Sequence, residues 1–170
     1  MSDVITVLDR GQEITFSFPE MLKYAGPHSP GGVAHAFKVL ERALPLLEPD
    51  GPPERREIEV GTAFGGPGAR DAFELVTRAV TGERYTVEDS LARPELGNAR
   101  ERFSFALAYR ARSLRLALRA GYVTDEFIAL ARKKEPTAAD DRRLDALKLE
   151  LANLVMSAPA TDVYDVIGAP

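Results

Sequence analysis

Between Arg102 and Arg119 the apolar residues fall on every second position, at Phe103, Phe105, Leu107 and Tyr109, then at Leu114, Leu116 and Leu118 beyond the segment Arg110 to Ser113. A period of two sends successive side chains to opposite faces of an extended chain, so one face is apolar and the other is not. The stretch therefore predicts a long antiparallel hairpin, and its apolar face has to be covered by another layer. A second hairpin is predicted over residues 4 to 18, VITVLDRGQEITFSF, where the turn cluster Asp9-Arg10-Gly11 separates two β-branched and aromatic runs. The covering layer is written in helical period: Val33, Ala36, Phe37, Leu40, Ala43, Leu44 and Leu47 recur at steps of three and four and predict a helix with one buried face. Ser29 and Pro30 are suited to its N-cap and first turn.

The remaining elements follow from similar signals. A short helix is predicted from Pro19 to Tyr24, and a second amphipathic helix from about Ala69 to Val80, stopped by Gly82. Further helices are predicted at 124 to 134 and 138 to 156, the latter carrying Leu144, Leu147, Leu151, Leu154 and Val155 on one side. Short strands are predicted within 56 to 63, 84 to 87 and 162 to 167. No repeat, linker or low-complexity tract divides the chain. The expected fold is α+β: an antiparallel sheet built from hairpins, packed with several helices, in a single core domain over residues 1 to 170.

Composition removes whole classes of chemistry. The 170 residues include no Cys, so disulfides, thiolate nucleophiles, iron–sulfur clusters and Cys-ligated zinc are excluded, while a divalent metal on other ligands is not. Lys and Arg number 22 against 26 for Asp and Glu, and the net charge of −4 gives no global attraction to nucleic acid or to an acidic membrane surface. The arginines at 100, 102, 110, 112, 115 and 119 lie among aromatic residues, but strand alternation gives the aromatics to a core face, so no nucleic-acid partner is expected. No segment has the apolar length of a membrane span, and the first ten residues do not resemble a signal peptide. The expectation is a cytoplasmic protein without a membrane partner.

Both histidines lie in Tyr24-Ala25-Gly26-Pro27-His28-Ser29-Pro30-Gly31-Gly32-Val33-Ala34-His35, which opens the first long helix. A helix start has unpaired N–H groups and the positive end of a dipole, so it stabilises an anion or a developing oxyanion. A neutral His28 beside it is suited to proton transfer near neutral pH. The alternative is an ordinary helix start with an incidental histidine. As metal ligands, His28 and His35 are seven residues apart, about 10 Å along a helix axis, too far for one ion unless the loop folds His28 back. The run Gly61-Thr62-Ala63-Phe64-Gly65-Gly66-Pro67-Gly68 stands between a strand and a helix, where glycines cradle phosphates, yet it matches neither the P-loop nor the dinucleotide fingerprint. Arg70 stands near the start of that helix, in reach of an anion.

Residues 24 to 37, YAGPHSPGGVAHAF, resemble the signature of the formylmethanofuran dehydrogenase (FmdE-like) family: an aromatic residue, His-Gly-His, any residue, then Cys-Pro-Gly and a helix. The matches are Tyr24, Gly26, Pro30 and Gly31. EVGTAFGGPGARDAF at 59 to 73 is similar to the family's strand ending in Asp-Ala-Cys, and the later hairpin and closing segment resemble its later elements in order and spacing. Ala25 and Pro27 stand in place of the family's two histidines, Ser29 in place of its Cys, and Phe64 about where a second Cys falls. The resemblance therefore implies the family's α+β core, its homodimer and the position of its pocket, without its thiolate centre.

Two readings result. In the first, the protein is an enzyme acting on a small anionic or carbonyl-bearing metabolite by general acid–base chemistry. Its catalytic set is His28, Ser29, Tyr24 and Thr62, with His35, Glu59, Arg70 and Asp71 around the substrate. In the second, it is a non-catalytic dimeric protein that binds a small molecule or a metal on the same scaffold.

Overall fold

The computed structural model describes residues 3 to 168. Both hairpins form. Strands β1 (Val4–Asp9) and β2 (Gln12–Ser17) pair as a separate two-stranded sheet, and β5 (Ser104–Tyr109) pairs with β6 (Arg112–Leu118) with Leu107 opposite Leu114. Arg10 and Gly11 take positive φ values of 53° and 82°, the handedness that lets a two-residue turn follow the twist of its strands. Glu54 fixes this turn from outside, accepting hydrogen bonds from the Gly11 and Arg10 amides at 2.7 and 3.1 Å.

The main sheet has five strands in the order β4-β3-β5-β6-β7, with β3 at Ile58–Thr62, β4 at Tyr85–Val87 and β7 at Tyr164–Gly168. The β5–β6 hairpin is antiparallel as predicted, but β4 runs parallel to β3, so the sheet is mixed. The reason is the connection: helix α3 (Pro67–Thr77) lies between these two strands, and a helical crossover returns the chain in the same direction.

Five more helices cover the sheet and its ends: α1 (Phe18–Ala25), α2 (Pro30–Leu47), α4 (Asp125–Arg132), α5 (Ala138–Ser157) and the single turn α6 (Ala160–Val163). Ser17 and Glu20 start α1 with a reciprocal capping box, and Thr124 and Thr137 cap α4 and α5. Helix α2 is the centre of the molecule. The single buried face predicted for it is an underestimate, since every residue from Val33 to Leu40 is buried, His35 and Lys38 included. The helix is enclosed because α1, α3 and α5 pack around it while the sheet lies against another side. Lys38 is accommodated by Glu41, at 2.8 Å. On α5 the predicted stripe is buried at Leu147, Leu151 and Val155, whereas Leu154 is 43% exposed.

The end of α3 differs from expectation. The helix ends at Thr77 rather than near Gly82, with Arg78 in the left-handed region at φ 56°. Its last carbonyls are taken by two arginines: Arg55 donates to those of Leu75 and Val76, and Arg84 to those of Thr77 and Arg78. Those of Leu75, Val76 and Thr77 belong to the groups that a helix C-terminus leaves without helical partners, whereas that of Arg78, just past the helix, also accepts from the Gly82 amide at 2.9 Å; cations there also meet the negative end of the dipole. At the other end α3 presses on α2. A methyl group at Gly68 would lie 2.5 Å from the Ser29 carbonyl oxygen, and one at Gly32 would lie 2.9 Å from the Ala69 nitrogen. Packing sets the start of α2, since the predicted cap Ser29 makes no side-chain capping bond.

Helix propensity alone makes Gly→Ala stabilising by up to about 1 kcal/mol. At Gly68 the crossing reverses the sign: Gly68→Ala is expected to cost about 1–3 kcal/mol. Gly51→Ala, in open space, is expected to stay within about 0.5 kcal/mol of the parent. Urea titration of both variants checks the contrast, and equal midpoints would refute the tight crossing.

Candidate functional site

The glycine contact sets the starts of α2 and α3 side by side, and both border one cleft of about 540 Å³. Ser29, Gly31 and Gly32 line it from α2, and Gly65, Gly66 and Pro67 from the turn into α3. Pro30 and Pro67 sit in the first helical turns, where an amide proton has no helical acceptor in any case. The Gly31 and Gly32 amides belong to the unpaired donors of a helix start, so the backbone gives this rim a positive character.

The wall is aromatic. Phe64 and Phe103 stack at 4.5 Å between centroids, and Phe127 of α4 completes the apolar lining with Ile128. The turn that delivers Phe64 is held by Thr62, whose hydroxyl donates to the Ser104 carbonyl at 2.8 Å and accepts from the Phe64 amide at 2.9 Å. Gly66 leaves room for the ring, since a methyl there would lie 2.5 Å from it.

Three cations stand around this apolar surface: Arg102, Arg132 and Lys148. Arg102 pairs with Asp89 at 2.7 Å on the exposed side. Arg132 donates to the Asn98 side-chain oxygen at 3.0 Å, an uncharged acceptor, and Lys148 approaches Asp145 at 3.8 Å. Each therefore retains donors for a ligand.

Beneath the cleft lies His35, 4% exposed, with Nδ1 2.8 Å from the Tyr164 hydroxyl and its ring 4.7 Å from that of Phe103. Burial pushes its pKa down from the usual 6.5 to about 3, and it pushes that of Tyr164 well above the ordinary tyrosine value. His35 is therefore a neutral imidazole throughout the physiological range.

The residues singled out in the sequence are not gathered in one place. Ser29 lines the cleft, and His35 lies under it beside a smaller cavity. His28 and Tyr24 are exposed and line neither space. Thr62 is buried with its hydroxyl committed to the two bonds above, so it holds the turn and does not face a ligand. Glu59 points to the outer face of the sheet, because alternation along β3 gives Ile58, Val60 and Thr62 to the core. Arg70 and Asp71 lie 4.0 Å apart on α3 and do not border the cleft. His28 is exposed and His35 buried, and among the described residues no group of three or more His, Cys, Asp and Glu is placed to hold a metal ion.

Sequence reasoning does not find Arg132, Lys148 or Phe127. They come from α4 and α5, whose patterns identify helices but not what lies opposite them. Alternation assigns Arg102 to solvent, and Phe64 enters only as part of the Gly-rich run and through the resemblance. No protein-family model matches the chain, and no curated protein matches it.

The buried imidazole has a thermodynamic consequence. In the unfolded chain His35 takes up a proton as pH falls below about 6.5, whereas in the fold it does so only near 3. Protonation therefore favours unfolding, and stability is lost as pH falls through that interval. His35→Gln is expected to be less stable than the parent at pH 7.5 but to lose less on acidification to pH 4. Denaturant midpoints at the two pH values test this, and an undiminished difference would refute it.

Proposed function

We propose that the protein binds a small organic anion with a flat or apolar body in the cleft between α2 and α3. The observation that carries this reading is the convergence of two helix starts and three cations on one aromatic-walled concavity. The wall removes apolar surface of a ligand from water, while the rim supplies charge-assisted donors for a carboxylate or phosphate. Of the two readings open from the sequence, this arrangement favours small-molecule binding over His28-based acid–base catalysis. His28 does not border the cleft, and the imidazole that lies under it is too weak a base to take up a proton near neutral pH.

The proposal takes in the resemblance to the formylmethanofuran dehydrogenase (FmdE-like) family. Ser29 and Phe64, which stand where the family has its cysteines, line one cleft although they are far apart in the chain. On this reading the scaffold keeps a ligand pocket and replaces thiolate chemistry with an aromatic wall. The homodimer and cytoplasmic location implied from the sequence belong to the same proposal. Among the described residues no helix is long and apolar enough to cross a membrane. The outer face of β3, β5 and β6 also presents small side chains, Gly61, Ala106, Ala108 and Ser113, around a shallow trough that a second copy could cover.

Calorimetric titration with benzoate and phenyl phosphate tests the reading, with benzyl alcohol as the uncharged control. Both anions are expected to bind more tightly than the alcohol. Replacing Arg132 and Lys148 together by Ala is expected to weaken anion binding by about tenfold or more, the scale of lost charge-assisted bonds. His28→Ala is expected to change nothing. Equal affinity for the alcohol, or an unaffected double variant, would overturn the proposal.

A further inference from the structure

His35 borders a second, inner cavity of about 30 Å³, whose walls it shares with Tyr122, Val123 and Leu151. The inner cavity and the main cleft have Gly31, Gly32, Phe64, Phe103, Phe127 and Lys148 in common, so the two spaces are neighbours that share one wall. A space of that size accepts one water molecule or one small group of a ligand.

The hydrogen bonding of His35 fixes what it presents there. The Tyr164 hydroxyl is fully buried, and the bond to His35 Nδ1 is the one the structure gives it. If Nδ1 carried the imidazole proton, the hydroxyl proton of Tyr164 would be buried without an acceptor, which folded proteins avoid. Among the described residues Tyr85 alone has a side-chain polar atom both sealed from solvent and without a partner. Tyr164 therefore donates to Nδ1, which leaves the proton on Nε2. Nε2 has no protein partner among the described residues and is not sealed from solvent, and His35 is one of the residues that line the inner cavity.

We infer that the inner cavity is a subsite for an uncharged acceptor oxygen, which the His35 Nε2–H group binds. The assignment rests on the cleft being a ligand site and gives its ligand a chemical class: an organic anion whose carbonyl lies at the end opposite the charge. The charged end meets Arg102 and Arg132, Lys148 borders both spaces, the body lies along Phe64 and Phe103, and the carbonyl oxygen reaches His35. Tyr164 is a positioning residue that holds the imidazole in the donating tautomer.

The tautomer is read directly by two-bond ¹H–¹⁵N correlation spectra of protein labelled at histidine, with exposed His28 as the internal comparison. The expected pattern for His35 at pH 7 is a neutral ring protonated at Nε2, and protonation at Nδ1 or a charged ring would overturn the inference. The subsite is read by calorimetry with 4-acetylbenzoate and 4-isopropenylbenzoate, which differ by exchange of a carbonyl oxygen for a methylene group. The ketone is expected to bind about fivefold more tightly, the scale of one neutral hydrogen bond. That preference should vanish in His35→Phe and shrink in Tyr164→Phe, which keeps the ring but removes its lock and serves if the first variant does not fold. Equal binding of the two probes, with both still dependent on Arg132 and Lys148, would mean that the inner cavity holds only water: the subsite would then be wrong and the cleft right. Failure of both probes to bind would overturn both.

Discussion

Two glycines let two helix starts touch, and the rest of the molecule is arranged around that contact. Gly32 and Gly68 bring the backbones of α2 and α3 within a distance that a single methyl group would forbid. Because protein interiors are close-packed, such an approach is retained only if its surroundings hold both helices in place. On α2 the holding is done by enclosure, with α1, α3, α5 and the sheet around it. On α3 it is done from the far end, where the guanidinium groups of Arg55 and Arg84 occupy the terminal carbonyls. Arg55 also lies over the Phe16 ring and pairs with Asp9, so the small hairpin of β1 and β2 is fastened to the same helix.

The contact has a chemical effect as well as a steric one. A single helix start offers a few amide donors and a partial positive charge that water and salt readily screen. Two starts against an aromatic wall, with cations at the rim, face a region from which water is partly excluded, and electrostatic attraction there is stronger. Apolar residues are as necessary to the cleft as charged ones. Phe64 and Phe103 supply the low-polarity surface, and Thr62 and Gly66 hold and admit the first of these rings.

Much of this architecture is legible in the residues, and the legible parts are those governed by neighbours in sequence. The alternation through Phe103 to Leu118 and the turn at Arg10-Gly11 identify both hairpins, because period and turn chemistry are local properties. The end of α3 escapes such reading for a non-local reason. Gly82 is the better local stop, but the helix ends at Thr77, with Arg78 left-handed and two arginines from outside donating to the carbonyls at that end. The same distinction governs the site. Ser29 is visible as part of a helix start, whereas Arg132, Lys148 and Phe127 become neighbours of that start only when α4 and α5 dock. Sequence places His35 beside His28, yet one turns to solvent and the other to the core, a difference decided by the packing around α2.

The partner of His35 comes from β7, the outermost strand of the main sheet, which pairs on one side with β6. Border strands of this kind open at smaller free energy than the body of a domain. Each brief detachment of β7 would withdraw the Tyr164 hydroxyl and free the imidazole to exchange its tautomers. With the deep end of the cleft as the proposed subsite, its selectivity would be coupled to local breathing at a margin of the sheet, and mutations that loosen that margin would blur recognition without touching any group a ligand meets.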